Sequence, residues 1–184
     1  MRFAWITLAS VMLMALLCRP AEPQKAADWP MFNRDLAGTR YSPLTQINTA
    51  NVGTLTKVWT YLFNREGKTI AGDSPTELYQ EITPIVVNGV MYLPSGDRVV
   101  ALEPETGKEI WTYELQGGLA SFRGLAYWPG DRNNPPRIIF TTARKMMALN
   151  ARTGKVDPGF GDEGEVPLVV PYDGARPPST RTCS

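Results

Sequence analysis

The 184-residue chain has no histidine and two cysteines, Cys18 and Cys183. That inventory closes several chemistries. Without imidazole there is no Ser-His-Asp or Cys-His nucleophile, no histidine-ligated zinc and no CxxCH haem attachment. An enzyme built on this chain must carry its protons on something other than imidazole. The formal net charge of +1 gives no electrostatic case for nucleic acid or an anionic surface as partner. If the segment carrying Cys18 is removed, Cys183 is the one thiol left and no internal disulfide can form.

The elements that must position any functional group are announced by a doubled phrase. Ala101-Leu102-Glu103-Pro104-Glu105-Thr106-Gly107-Lys108 returns 47 residues later as Ala148-Leu149-Asn150-Ala151-Arg152-Thr153-Gly154-Lys155. Self-similarity at roughly 40–50 residues fits one four-stranded propeller blade per repeat. Sixteen glycines and 16 prolines suit a turn-rich β protein better than a helical bundle.

Strand signals surround both copies. Asn88-Gly89 lies between Pro84–Val87 and Val90–Leu93, a hairpin signal because a type I′ turn needs positive φ at both central residues. Those runs are apolar on both sides, as expected of strands covered on both faces. Arg98–Leu102 and Glu109–Glu114 complete a four-strand blade, with a turn over Glu103–Lys108 in which Gly107 takes an unusual backbone angle. Arg137–Thr142 and Lys145–Leu149 begin the pattern again. The exit of the second copy lacks a tryptophan and reads as an insertion ending a degenerate blade, and 116–136 reads as a long rim loop. Leu55–Tyr61 reads as a further strand, after a short turn at Asn48–Val52.

The N-terminus reads as an export signal over 1–21. Arg2 supplies positive charge, Phe3–Leu17 is apolar apart from Thr7 and Ser10, and Pro20-Ala21 could end a cleavage site. The apolar run of about 15 residues is short against the roughly 20 needed to span a bilayer. A soluble-export signal, a lipid anchor at Cys18 and an uncleaved anchor giving membrane association stay open. Residues 22–27 read as a linker.

From Trp29-Pro30 through Gly38-Thr39-Arg40-Tyr41-Ser42-Pro43-Leu44, Asn51-Val52-Gly53-Thr54-Leu55 and the doubled phrase with Trp111, the chain resembles the quinoprotein dehydrogenases. The resemblance runs from about Asp28 to Tyr172. It implies a periplasmic enzyme that oxidises alcohols, polyols or sugars with pyrroloquinoline quinone (PQQ) and calcium, and hands electrons to a quinone or cytochrome. The fold expected is all-β: a partial β-propeller over 28–174, the first two to three blades of an eight-bladed quinoprotein propeller.

The resemblance also implies site residues. PQQ is a flat tricarboxylic quinone, and its site needs donors for the carboxylates and a metal at the quinone oxygen. Glu81 falls where the family places a cofactor-facing acid. Arg123, in Phe122-Arg123-Gly124-Leu125-Ala126, matches the family's cofactor-binding arginine, and a guanidinium fork suits a carboxylate. Thr141 falls where the family has a cofactor-contacting threonine, with Thr142 the alternative if the register slips by one. Trp59 and Trp111 read as docking neighbouring blades. Where many alcohol-oxidising members carry adjacent cysteines, six residues before the arginine, this chain has Gly117 and Gly118, which leans towards sugar or polyol members.

The calcium ligands and the catalytic base of the family are expected in blades outside this chain. The chain alone is therefore expected to be inactive, and unstable through its open strand edges. Residues 175–184 carry no strand pattern and are expected to be a non-native tail from a frameshifted or truncated gene. The alternative reading is a non-enzymatic propeller scaffold of the outer-membrane assembly type, built from the same repeats.

Overall fold

The computed structural model describes residues 25–62, 82–121 and 123–168. The export segment, Glu81 and the tail lie outside them.

Eight strands form two four-stranded antiparallel sheets, each in simple meander order. The first holds β1 (Ile85–Val87), β2 (Val90–Pro94), β3 (Arg98–Leu102) and β4 (Glu109–Glu114). The second holds β5 (Ala126–Trp128), β6 (Arg137–Thr141), β7 (Lys145–Asn150) and β8 (Glu165–Pro167). Neither sheet closes on itself, and the pair is the partial β-propeller that the repeat predicts. The β1–β2 hairpin turns at Asn88 (φ 53°) and Gly89 (φ 76°), the two positive angles that its type I′ turn requires.

The doubled phrase is a β3–β4 turn in the first sheet and its counterpart after β7 in the second. Gly107 (φ 71°) donates its N–H to the Glu103 carbonyl at 2.8 Å, and Gly154 (φ 69°) repeats this to Asn150 at 2.9 Å. The threonine hydroxyls accept from the lysine N–H groups, Thr106 from Lys108 at 3.1 Å and Thr153 from Lys155 at 3.4 Å. Thr-Gly recurs because the hydroxyl and the left-handed angle are used in both turns.

Both tryptophans dock as expected. Trp59 lies flat on Gly107, where a Cβ would stand 2.6 Å from the ring, and its Nε1–H donates to the Pro104 carbonyl at 2.9 Å. Trp111 does the same on Gly154, at 2.6 Å, with its Nε1–H on the Ala151 carbonyl at 3.0 Å. One apolar core runs across the seam: Ile85, Val87, Tyr92, Val99 and Ala101 from the first blade meet Leu125, Ile138, Phe140, Met147 and Leu149 from the second.

Three expectations are corrected. Leu55–Tyr61 joins no ladder among the described residues. Side chains tie it to the first blade instead, through Trp59 and through the Tyr61 hydroxyl, 3.0 Å from Glu109 Oε1. The stretch 116–136 is not all loop, because β5 lies inside it and pairs Ala126 with Ile139. The second blade is complete: after the detour at 157–164, β8 pairs with β7. That detour is closed by the Asp162–Glu165 bridge and by Gly164 N–H donating to the Phe160 carbonyl at 2.8 Å.

Candidate functional site

The connection from β4 to β5 crosses one end of both blades and is tied to each. Leu115 N–H donates to the Asp97 carbonyl (2.8 Å), Ala120 N–H to Gly96 (2.9 Å) and Ser121 N–H to Thr141 (2.8 Å). Gly124 N–H then folds back on the Ser121 carbonyl (3.1 Å), so close that a Cβ on Gly124 would lie 2.7 Å from Ser121 Cβ. Arg123 stands within this fixed turn and is exposed. Its guanidinium carbon lies 5.9 Å from the centre of the Phe32 ring.

Thr141 closes β6 at the same end and is half-buried. Its carbonyl takes the Ser121 N–H, so the structure brings Thr141 and Arg123 together through one turn. The neighbouring Thr142 hydroxyl is spent on the β6–β7 turn: it accepts from Arg144 N–H at 3.4 Å and Lys145 N–H at 3.3 Å, and donates to the Lys145 carbonyl at 3.3 Å. Among the described residues the Thr141 hydroxyl takes no part in that turn. Gly117 (φ 105°) and Gly118 (φ 78°) lie on the same connection with open space where a Cβ would be. Side-chain-bearing residues there would be strained by backbone angle rather than by crowding.

Two residues beside Arg123 escape sequence reasoning. Phe32 receives a second guanidinium, that of Arg40, at 5.3 Å from its ring centre. The approach depends on the N-terminal segment pairing with the inner strands, Trp29 with Val86 and Met31 with Ala126. No short-range spacing encodes a contact across that distance in sequence.

The opposite end of the seam holds a cleft of about 430 Å³ lined by Tyr92, Trp111, Tyr127 and Arg152 among others. The Tyr92 hydroxyl donates to the Ala151 carbonyl at 3.3 Å. Burial, with a smaller contribution from Tyr127, pushes its phenol up to about 12. A phenol whose folded pKa lies above its unfolded value of 10 stabilises the fold below pH 10, and that contribution fades as pH rises through about 12. Ultraviolet titration of the folded chain should show late tyrosinate formation, and Tyr92→Phe should remove the component near 12 while leaving that of Tyr113, which burial also raises.

Among the described residues, no group of three or more His, Cys, Asp or Glu side chains is placed to hold a metal ion. At the Arg123 end an exposed guanidinium stands on a turn tied to both blades, with the half-buried Thr141 adjoining.

Residues 29–183 match the family described as the β-propeller domain of PQQ-dependent glucose, ethanol and alcohol dehydrogenases. The chain is 38% identical over 140 residues to the dehydrogenase subunit of the quinone alcohol dehydrogenase of Gluconobacter oxydans, covering 70% of this chain and 16% of that protein. It is 33% identical over 174 residues to quinoprotein glucose dehydrogenase A of Acinetobacter calcoaceticus, covering 79% and 21%. Among solved structures, the quinohemoprotein alcohol dehydrogenase of Comamonas testosteroni superposes with a TM-score of 0.54 at 35% identity, over 70% of this chain and 18% of that one. The chain thus spans about a fifth of the length of these relatives.

Proposed function

Because the chain belongs to the PQQ-dependent dehydrogenase β-propeller family, we propose that it forms the N-terminal blades of an enzyme that oxidises a sugar, polyol or alcohol. In this reading the enzyme is exported to the periplasm by residues 1–21, with membrane attachment there an open variant, and passes its electrons to a quinone or cytochrome. The relatives above are named as dehydrogenases, which favours this reading over the scaffold alternative.

The observation that carries the proposal is Arg123 on its fixed turn. PQQ, when bound, supplies the quinone that accepts electrons from the substrate CH–OH group. The residues of this chain do the holding. Arg123 offers a planar fork of donors to a carboxylate, and its loop is tied to both blades, so little freedom is lost when the ligand seats. Thr141, joined to the same turn, offers a hydroxyl to a second ligand oxygen. Glu81, outside the described residues, is proposed on the family motif alone. Calcium ligands and the proton-accepting base are proposed to lie in later blades of the whole enzyme.

Equilibrium dialysis of the chain against PQQ tests this. Retention of quinone absorbance on the protein side is expected, weakened about tenfold in Arg123→Gln, the scale of a charge-assisted hydrogen bond. No dye reduction is expected with PQQ and calcium added. Equal quinone on both sides of the membrane would overturn the cofactor assignment. Turnover by the isolated chain would overturn the assignment of the base to later blades.

A further inference from the structure

We infer that the cleft at the Ala151 end of the seam between the blades is a second binding site, and that its ligand is a small flat ring carrying one carboxylate. Neither Arg123 nor Thr141 lines it, so it stands apart from the cofactor reading above.

The cleft volume of about 430 Å³ falls within the roughly 300–1,000 Å³ usual for small-molecule sites. Its walls are rings: Tyr92 and Trp111 from the first blade, Tyr127, Pro129 and Pro136 from the second. The Tyr92 and Trp111 rings lie 5.8 Å apart between centres, tilted by 44°. Both spend their polar hydrogens inward on one acceptor, since the Tyr92 hydroxyl and the Trp111 indole N–H donate to the Ala151 carbonyl. The two rings are thereby fixed from behind, and the surface they give to the cleft is carbon. That surface suits stacking against a flat ring. A sugar is poorly served, because its hydroxyl groups need acceptors and no Asp or Glu is among the described residues lining the cleft. The Asn88 amide oxygen, at the rim, already accepts from Lys25 Nζ at 2.7 Å.

The charge comes from a break in the repeat. Across the 47-residue offset, Glu103 and Glu105 of the first turn become Asn150 and Arg152 of the second. The turn does not demand an arginine. In the first copy Glu103 takes the Thr106 hydroxyl at 2.9 Å and stands 3.9 Å from Lys108 Nζ. In the second, Asn150 Oδ1 accepts the Arg152 N–H at 3.0 Å, so Arg152 serves its turn through the backbone. Its side chain is exposed and makes no ion pair among the described residues. Among the described residues lining the cleft it is the only charged one. A long guanidinium stem at the rim reaches across the opening to a carboxylate whose ring lies between the walls. The Tyr92 phenol, pushed up to about 12 by burial, sets no negative charge against that ligand at neutral pH.

The test uses the full chain, labelled with 15N, and two probes of one shape: naphthalene-2-carboxylate and naphthalene-2-carboxamide. The Trp111 indole and Asn88 side-chain amide signals are expected to shift along one saturation curve with the carboxylate. The carboxamide should bind about two- to fivefold more weakly, the scale of an exposed ion pair. Arg152→Gln should bring the two probes level, and Arg123→Gln should leave both unchanged. Ile110→Trp, at a position on the cleft wall that is 46% exposed, should fill the space and abolish both probes. Absence of saturable shifts in the wild type, or binding undiminished in Ile110→Trp, would overturn the site. A carboxylate preference that survives Arg152→Gln would overturn the choice of ligand. So would an equal loss of the carboxylate in Arg152→Gln and Arg123→Gln, which would mark attraction by net charge alone.

Discussion

Asp157→Ala is expected to destabilise the chain by about 3–5 kcal/mol, the usual cost of leaving one member of a buried ion pair alone. Asp157 Oδ2 accepts the Arg137 Nε–H at 2.6 Å, and both side chains are 9% exposed. Arg137 is further boxed by the Trp128 ring at 4.9 Å and the Phe160 ring at 5.9 Å, with Asn134 Oδ1 at 3.1 Å from Nη2. Removing the carboxylate leaves a guanidinium in that box with little water to replace it. Gly159 N–H also loses its acceptor, Asp157 Oδ1 at 2.9 Å. The urea midpoint should fall accordingly, and the double change Arg137→Met with Asp157→Leu should recover much of the loss because no charge remains buried. An unchanged midpoint in Asp157→Ala would overturn the account.

The same pair gives a pH dependence. The Arg137 hydrogen bond foremost, against a smaller opposing effect of burial, holds the Asp157 carboxyl below its ordinary 3.8. A group whose folded pKa is depressed contributes stability above its unfolded pKa and loses it as pH falls through the folded value. Acid unfolding should therefore steepen below about pH 4 in the wild type, and this component should vanish in the apolar double variant.

The second large effect is on the tryptophan seats. Gly154→Ala adds a methyl group 2.6 Å from Trp111 ring atoms at a left-handed φ of 69°. The backbone penalty is about 1–2 kcal/mol, and displacing a packed ring adds about 1–3 more. Gly118→Ala is the matched control, since its φ of 78° is also left-handed but nothing lies within 4 Å of the added carbon. It should show the backbone penalty alone. Trp111→Ala should cost about 3–5 kcal/mol, and Gly154→Ala added to it should cost no more than Gly118→Ala does. Equal effects of Gly154→Ala and Gly118→Ala in the wild type would show that the ring contact carries no energy.

The repeat made most of this legible beforehand. Asn88-Gly89, Thr106-Gly107-Lys108 and Thr153-Gly154-Lys155 encode their turns locally, so strands β1–β4, β6 and β7 follow with boundaries off by a residue or two. β5 and β8 were not legible. Each has three residues, too few for a period to emerge, and each exists because a neighbouring strand offers a ladder. Leu55–Tyr61 failed in the opposite sense: its composition is strand-like, but Trp59 and Tyr61 anchor it by side chains. At the candidate site, Arg123 and Thr141 were named from a motif, and the structure brings them to one turn. Phe32 and Arg40 could not be named, because the contact that recruits them is made only when Met31 meets Ala126.

The tryptophan seats also set where such a chain can be divided. Trp111 belongs by hydrogen-bonded ladder to the first sheet but spends its ring on the turn of the second. Trp59 stands in the same relation to Gly107. The interchangeable module is therefore staggered against the visible sheet: it runs from one docking ring to the next, not from one inner strand to the next. A graft cut between sheets would separate each ring from its glycine at both junctions. A graft cut just before the ring would carry the contact along intact.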